Sequence, residues 1–372
     1  MNFNCNSQAL LDGLNIVTKA LSSRPAKAIL EGVLLETTQE GIKLTASDGN
    51  VTIQSMVDAQ IAEEGTIVLP GRLFTEIIRK LPSGTVSIKM KENLSAFITC
   101  LNSKTTLAGM SSIDFPVTRE MEHGFSFTME QKDLKDMISK VIFSIATDES
   151  RQILTGGFLE ITPTQARMIA LDGFRMAIQK KSGQFDLPEE EQEKSAIIPG
   201  KVAQELSKIM EDSKEPVTIT IEKNYLSATF GKTELLTILL AGKYINYKQI
   251  IPADYSTKIK IGKVAFADAI DRASLMAREG KNNLIHLKIE ENMMTITSNA
   301  EMGDVFEQVE IDLEGKEVGI AFNARYLTDV VRNIEEEEFT MSFNSNVSPC
   351  VVQPVTGEDY LYLILPVRTF NS

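Results

Sequence analysis

An internal repeat of about 125 residues constrains this chain more than any other feature. Three segments open alike, with a short strand running into an amphipathic helix: Asn2–Asn6 into Ser7–Leu21, Gly124–Met129 into Gln131–Ala146, and Thr257–Ile261 into Lys263–Arg278. In the middle helix Leu134, Met137, Ile138, Val141, Ile142 and Ile145 form one apolar stripe at helical spacing. Alternating strand-like runs follow, with turns at Asp48-Gly49 and, 124 residues on, at Asp172-Gly173; Asn299, 127 residues beyond Asp172, is the expected third counterpart. Each copy then predicts a second helix with a basic residue at its start (Arg72, Lys201, Arg325) and closing strands such as Thr85–Lys89, Val217–Glu222 and Phe339–Phe343. The period is far too long for a solenoid. It predicts an α+β chain of three similar domains, 1–122, 123–252 and 253–372, each with two helices and about eight strands in antiparallel sheets.

Composition narrows the function. An apolar fraction of 43% suffices for a packed core, and no apolar run approaches the ~20 residues that span a bilayer. The opening Met1–Asn6 lacks the basic stretch and apolar core of a signal peptide. Cys5, Cys100 and Cys350 form no CxxC pair and are odd in number, as expected of buried thiols in a reducing cytoplasm. A net charge of −13 argues against coating nucleic acid by bulk attraction, but not against one concentrated positive surface. The six predicted helices carry fourteen basic and ten acidic residues, net +4, against −17 for the remainder.

Catalytic constellations are missing from the sequence. It has no phosphate-binding glycine loop, no GxSxG and only two histidines, His123 and His286. The acidic runs 189–193 and Glu335–Glu338 are consecutive, so they read as solvated loop charge rather than converging metal ligands. No catalytic residue, metal or cofactor is therefore expected. An enzyme with an unrecognised carboxylate site stays open as the alternative, and so does a scaffold that never meets DNA.

Four motifs, in order and on the triple repeat, carry a family resemblance: Arg24-Pro25, Asp114-Phe115-Pro116, Leu171-Asp172-Gly173-Phe174-Arg175-Met176-Ala177, and the run from Tyr360 to Arg368. Over essentially its whole length the chain resembles the beta sliding clamps of bacterial DNA polymerase III. The resemblance implies a DNA-clamp fold in a ring-shaped head-to-tail homodimer, and a non-catalytic processivity subunit. It implies as partners double-stranded DNA, the polymerase III alpha subunit, a clamp-loader, and other polymerases and repair proteins docking through short peptide motifs, with no membrane. The implied peptide pocket comprises Leu154, Leu171, Gly173, Arg175, Met176, Ile245, Ile250, Pro349, Leu363, Leu365, Pro366, Val367 and Arg368. Apolar members would take a partner's anchors, Gly173 would admit a backbone, and Arg175 and Arg368 would donate hydrogen bonds at the rim. Arg24, Arg72, Lys201 and Arg325 would face DNA. Strand 104–109 would pair with a third-repeat strand of a second copy, with Leu107 packed against Leu275 and Met276 and Thr105 in the same interface. The chain departs from the family pattern at Tyr244-Ile245-Asn246-Tyr247, where Phe-Pro-Asp-Tyr is common, at Leu171, commonly Thr, at Gln152-Ile153, where some members carry aromatic residues, and in the added tail 369–372.

Overall fold

The computed structural model describes residues 1–22, 24–119, 121, 123–188, 192–280 and 283–368; the expected boundary at 122, most of the acidic run 189–193 and the tail 369–372 lie outside them. The first repeat runs β1 (Asn2–Asn6), α1 (Ser7–Val17), β2 (Gly32–Thr38), β3 (Gly41–Ser47), β4 (Val51–Val57), β5 (Ala59–Glu63), β6 (Thr66–Pro70), α2 (Gly71–Lys80), β7 (Thr85–Met90), β8 (Ser95–Cys100) and β9 (Ser103–Ala108). The second runs β10 (Phe125–Glu130), α3 (Gln131–Ser139), β11 (Gly156–Thr162), β12 (Gln165–Leu171), β13 (Arg175–Ser182), β14 (Lys194–Pro199), α4 (Gly200–Ile209), β15 (Pro216–Glu222), β16 (Tyr225–Phe230) and β17 (Thr233–Ile238). The third runs β18 (Thr257–Gly262), α5 (Lys263–Glu279), β19 (Leu284–Glu290), β20 (Met293–Ala300), β21 (Gly303–Gly315), β22 (Val318–Asn323), α6 (Ala324–Arg332), β23 (Glu338–Phe343), β24 (Cys350–Pro354) and β25 (Tyr360–Ile364).

The chain packs as two compact units, 1–135 with 204–239, and 136–203 with 240–372. The first holds the sheets β5-β1-β7-β8-β9 and β10-β15-β16-β17-β4-β3-β2-β6; the second holds a sheet of twelve strands, β14-β11-β12-β13-β25-β24-β23-β18-β21-β20-β19-β22. All pairings are antiparallel, and no described helix is long and apolar enough to cross a membrane.

Local chemistry sets the helix ends. Asn6 caps α1, its Oδ1 accepting from the amides of Gln8 and Ala9 at 2.9 and 3.1 Å, and Asn323 caps α6 through the Arg325 amide. Gly13 lets α1 lie against β4, since a Cβ there would sit 2.8 Å from the Val57 side chain. Two helices stop short of expectation. In α1 the Thr18 hydroxyl bonds back to the Leu14 carbonyl at 2.7 Å and a 3-10 turn replaces the last residues. α3 ends at Ser139, and Val141, with φ −119°, leads into a 3-10 turn at Ile142–Ser144. Val141 stays 1% exposed although the helix has ended, so the apolar stripe marks burial better than it marks helix length.

The registers show which residues correspond. Each second helix follows a strand whose last residue (Pro70, Pro199, Asn323) pairs with Gly32, Gly156 or Leu284. Two residues on, the rows Leu34–Thr45–Gln54, Phe158–Ile169–Ile178 and His286–Thr297–Phe306 cross three strands in step. By this count Ala300, not Asn299, matches Asp172. Asn299 lies within β20 opposite Asp304, Ala300 pairs with Gly303, and the hairpin turns at Glu301-Met302. The expected Asn299 turn is thus displaced, because the third hairpin is tighter than the other two.

Two junctions join repeats through a continuous sheet. At the first, β17 pairs with β4, with Leu235 opposite Ile53 and Glu234 opposite Gln54. At the second, β25 pairs with β13, with Tyr362 opposite Ala177 and Leu361 opposite Ile178.

Candidate docking groove and basic helix starts

At the second junction side chains alternate between two faces. Leu171, Met176 and Leu363 lie in one cross-strand row, and Val351 of β24 sits opposite Leu363. Together with Leu154, Ile169, Ile178, Tyr244 and Leu361 they form one apolar cluster, with Ile153, Phe158, Leu240 and Ile251 packed on it. Four of the expected pocket residues are thereby brought together. Each is almost fully buried: Leu154 1%, Leu171 4%, Met176 2% and Leu363 2% exposed. Leu363 therefore belongs to the floor and is not freed to the surface.

The rim is built separately. Gly173, at φ +94°, closes the Asp172 turn, in which Asp172 Oδ1 accepts from the Phe174 and Arg175 amides at 2.8 and 3.0 Å. The C-terminal segment follows this lip, the Leu365 amide donating to the Phe174 carbonyl and that of Val367 to Ala321, both at 2.8 Å. Leu365, Ile245 and Ile250 are 36%, 38% and 38% exposed, Pro366 and Val367 are half-buried, and Arg368 is exposed. Pro349 lies off the cluster, in an adjoining cavity of about 240 Å³ that also borders Ile251, Val351 and Leu361.

Arg175 differs from expectation. It pairs with Ile364, on the opposite face from Met176, and is 7% exposed. Its Nε donates to Asp172 at 3.1 Å, one terminal nitrogen to Asp329 at 2.5 Å and the other to the Phe143 carbonyl at 2.5 Å. Tyr326 and Phe143 cover its guanidinium, their ring centres 4.7 and 5.2 Å away. With these partners it is a buried brace beneath the lip, not a donor at the rim.

Sequence reading also missed the support under residues 244–251. Tyr244 stacks on Phe158 at 4.7 Å, and the Tyr247 hydroxyl donates to Glu160, whose carboxylate also receives Arg167 at 2.6 Å and Lys248 at 3.2 Å. Glu160 is 2% exposed, and burial followed by the Glu160 charge pushes the Tyr247 phenol up to about 12.

Of the basic positions, Arg72, Lys201 and Arg325 are each the second residue of their helix, and all three are exposed, as is Arg24. Arg72 reaches the Ser22 carbonyl at 3.5 Å, two residues from Arg24, and Arg325 lies 3.8 Å from Asp329. With the observed bounds the six α-helices carry twelve basic and nine acidic residues, net +3 against −16 elsewhere.

The expected interface residues lie on open elements. β9 is the last strand of its sheet, and residues 303–310 of β21 pair only with β20. Thr105 is half-buried, and Leu107, at 7% exposed, already faces its own sheet's core. Leu275 is 63% and Phe306 62% exposed, and Met276 Cε lies 3.6 Å from where a Gly303 Cβ would stand. Among the described residues no cluster of three or more His, Cys, Asp or Glu could hold a metal.

A triplicated α+β scaffold joined through continuous sheets defines the sliding-clamp fold class. Family models for the DNA polymerase III beta subunit match the chain as N-terminal domain over residues 1–119, central domain over 128–246 and C-terminal domain over 248–368. A beta sliding clamp of Staphylococcus epidermidis is 33% identical, with both chains fully covered. A crystal structure of a DNA polymerase III beta subunit from Eubacterium rectale superposes with TM-score 0.94 at 34% identity, covering 99% of this chain and 100% of the other. The sliding clamp of Bacillus subtilis gives TM-score 0.94 at 32% identity, with both chains fully covered. The chain belongs to the DNA polymerase III beta-subunit family, the sliding clamps, which are non-catalytic processivity factors.

Proposed function

We infer that this chain acts as a DNA sliding clamp that encircles duplex DNA as a ring and tethers the replicative polymerase, with its three domains at 1–122, 123–252 and 253–372. The observation that carries the reading is full-length membership of the clamp family on a threefold-repeated scaffold. Exposed basic residues at repeated helix starts support Arg24, Arg72, Lys201 and Arg325 as the DNA-facing set, through phosphate contacts that carry no sequence preference. The apolar cluster and its rim support the second junction as the groove for partner peptides, with hydrophobic anchors seated over Met176 and Leu363. A cytoplasmic site of action belongs to the same reading.

The repeat also supplies a register for ring closure. The rows Phe3–Ile88–Ile98–Thr105, Phe127–Ile219–Ala228–Leu235 and Ile259–Met341–Val352–Tyr362 correspond across the three copies. Leu235 meets Ile53 and Tyr362 meets Ala177, so Thr105 is left to meet the third counterpart, Val305, in a second chain. That register sets Leu107 over Gly303 beside Met276, and covers two strand edges that would otherwise invite aggregation. A head-to-tail contact of this kind closes after two copies in a ring dimer. The deciding experiment is retention on DNA after loading: a topological tether stays on a closed circle and is lost when the circle is cut. Equal loss from both forms would refute encirclement.

A further inference from the structure

One polar group of the groove cluster carries a proton to which the described residues give no acceptor. Tyr244 is 7% exposed, its ring lies parallel to that of Phe158, and it packs with Leu154, Leu171, Met176 and Leu363. Its hydroxyl is fully covered; the Leu171 main chain lies against its oxygen as a hydrogen-bond neighbour, and no described residue accepts its proton. The other tyrosine of this segment shows the ordinary solution, the Tyr247 hydroxyl lying 3.2 Å from both Glu160 oxygens. A buried hydroxyl proton without an acceptor is destabilising, and phenylalanine at this position would have none. Burial also raises the phenol's pKa, keeping it a proton donor at neutral pH. The next residue, Ile245, is 38% exposed.

We propose that the Tyr244 hydroxyl is a specificity-determining hydrogen-bond donor of the docking groove, matched to an acceptor oxygen on one anchor side chain of a docked peptide. The inference rests on the docking reading of the second junction. A site built to hydrogen-bond an anchor rejects the analogue lacking the acceptor, because the buried donor is then left unpaired.

The test uses the full chain and a fluorescent, largely apolar docking peptide, with each apolar anchor replaced in turn by the isosteres threonine and valine. Dissociation constants are measured for wild type and Tyr244→Phe. At one anchor, threonine should gain on valine by about fivefold to tenfold more in wild type than in Tyr244→Phe, the size of one net hydrogen bond. The valine peptide should bind both proteins equally. A threonine preference that is absent, or that survives in Tyr244→Phe, overturns the proposal while leaving the groove intact. If no peptide binds the folded wild-type dimer, the docking reading falls and takes this inference with it.

Discussion

The two sheet junctions share a backbone and differ in one half of their side chains. At the first, Ile29, Leu30, Leu34, Val68, Met110 and Phe115 pack together; at the second, Ile153, Leu154, Phe158, Ile197, Leu240 and Tyr244 do so in the corresponding places. Even the turns agree. Gly49 and Gly173 both have φ +94°, and Asp48 accepts from the Asn50 and Val51 amides as Asp172 does from Phe174 and Arg175. Across the groove the likeness stops. Where the second junction has Ile169, Leu171, Met176, Ile178, Val351 and Leu361, the first has Thr45, Ser47, Thr52, Gln54, Ser227 and Glu234. There Ser47 bonds Thr52 at 2.9 Å, and Gln54 bonds Thr45 and Thr118 at 3.3 and 3.1 Å. The fold supplies this arrangement twice, and six positions decide that the second junction is lined by apolar side chains where the first is lined by polar ones.

The largest effect that would break this comparison is a charge in the apolar half. Met176→Asp places a carboxylate at a 2% exposed site without a basic neighbour in the cluster, and should cost about 3–5 kcal/mol of stability in urea unfolding. Peptide binding should fall at least 100-fold. Thr52→Asp, at the half-buried counterpart, should change stability by less than about 1 kcal/mol and leave peptide affinity as in wild type. Similar effects at the two positions would remove the contrast.

The proposed contact between two copies would be a third junction, and it sharpens the comparison. Leu275→Asp puts a charge on the 63% exposed residue beside the open edge. The dimer dissociation constant should rise about 100-fold by sedimentation, equivalent to about 2.7 kcal/mol, with the monomer still folded. A dimer as tight as wild type would exclude this edge from the ring contact.

Removing the brace has a smaller effect. Val51, the counterpart of Arg175, is apolar, so only the second junction buries a cation. Asp329→Asn keeps the shape but removes the charge that receives Arg175, and should cost about 2 kcal/mol. Peptide affinity should fall severalfold as the Gly173–Phe174 lip loosens. No loss of either would make the lip independent of its brace.

The repeat was legible in the sequence because its strands, turns and basic helix starts recur at a fixed spacing. Leu171, Met176 and Leu363 came from the family resemblance, and the strand register shows why they meet: they lie in one cross-strand row. The role of Arg175 was not legible. Its partners Asp329 and Phe143 are 154 and 32 residues away, and no local pattern distinguishes a buried guanidinium from one at a rim. The support of Tyr247 by Glu160, 87 residues apart, was hidden for the same reason. The misplaced third turn arose because a hairpin two residues tighter keeps the same flanking alternation.

The smallest effect concerns an ion pair that both junctions possess. Lys232 bonds Asp58 at 2.5 Å beside the first, and Lys180 bonds Glu358 at 3.0 Å beside the second. The hydrogen bond and charge of Lys180 hold the Glu358 carboxyl below its usual range. A folded pKa below the unfolded value means that this contribution is complete above the unfolded pKa and is lost as pH falls through the folded one. Glu358 is 79% exposed, so solvent screening limits the pair to about 0.5 kcal/mol. Glu358→Gln should therefore lower the urea midpoint slightly at pH 7, and the gap from wild type should close as the pH falls through the folded pKa. Salt at 1 M should close it as well, because the Debye length is then about 3 Å. A gap that persists in acid would mean that Glu358 contributes through packing rather than charge, and the matched pairs would then be a coincidence of two exposed loops.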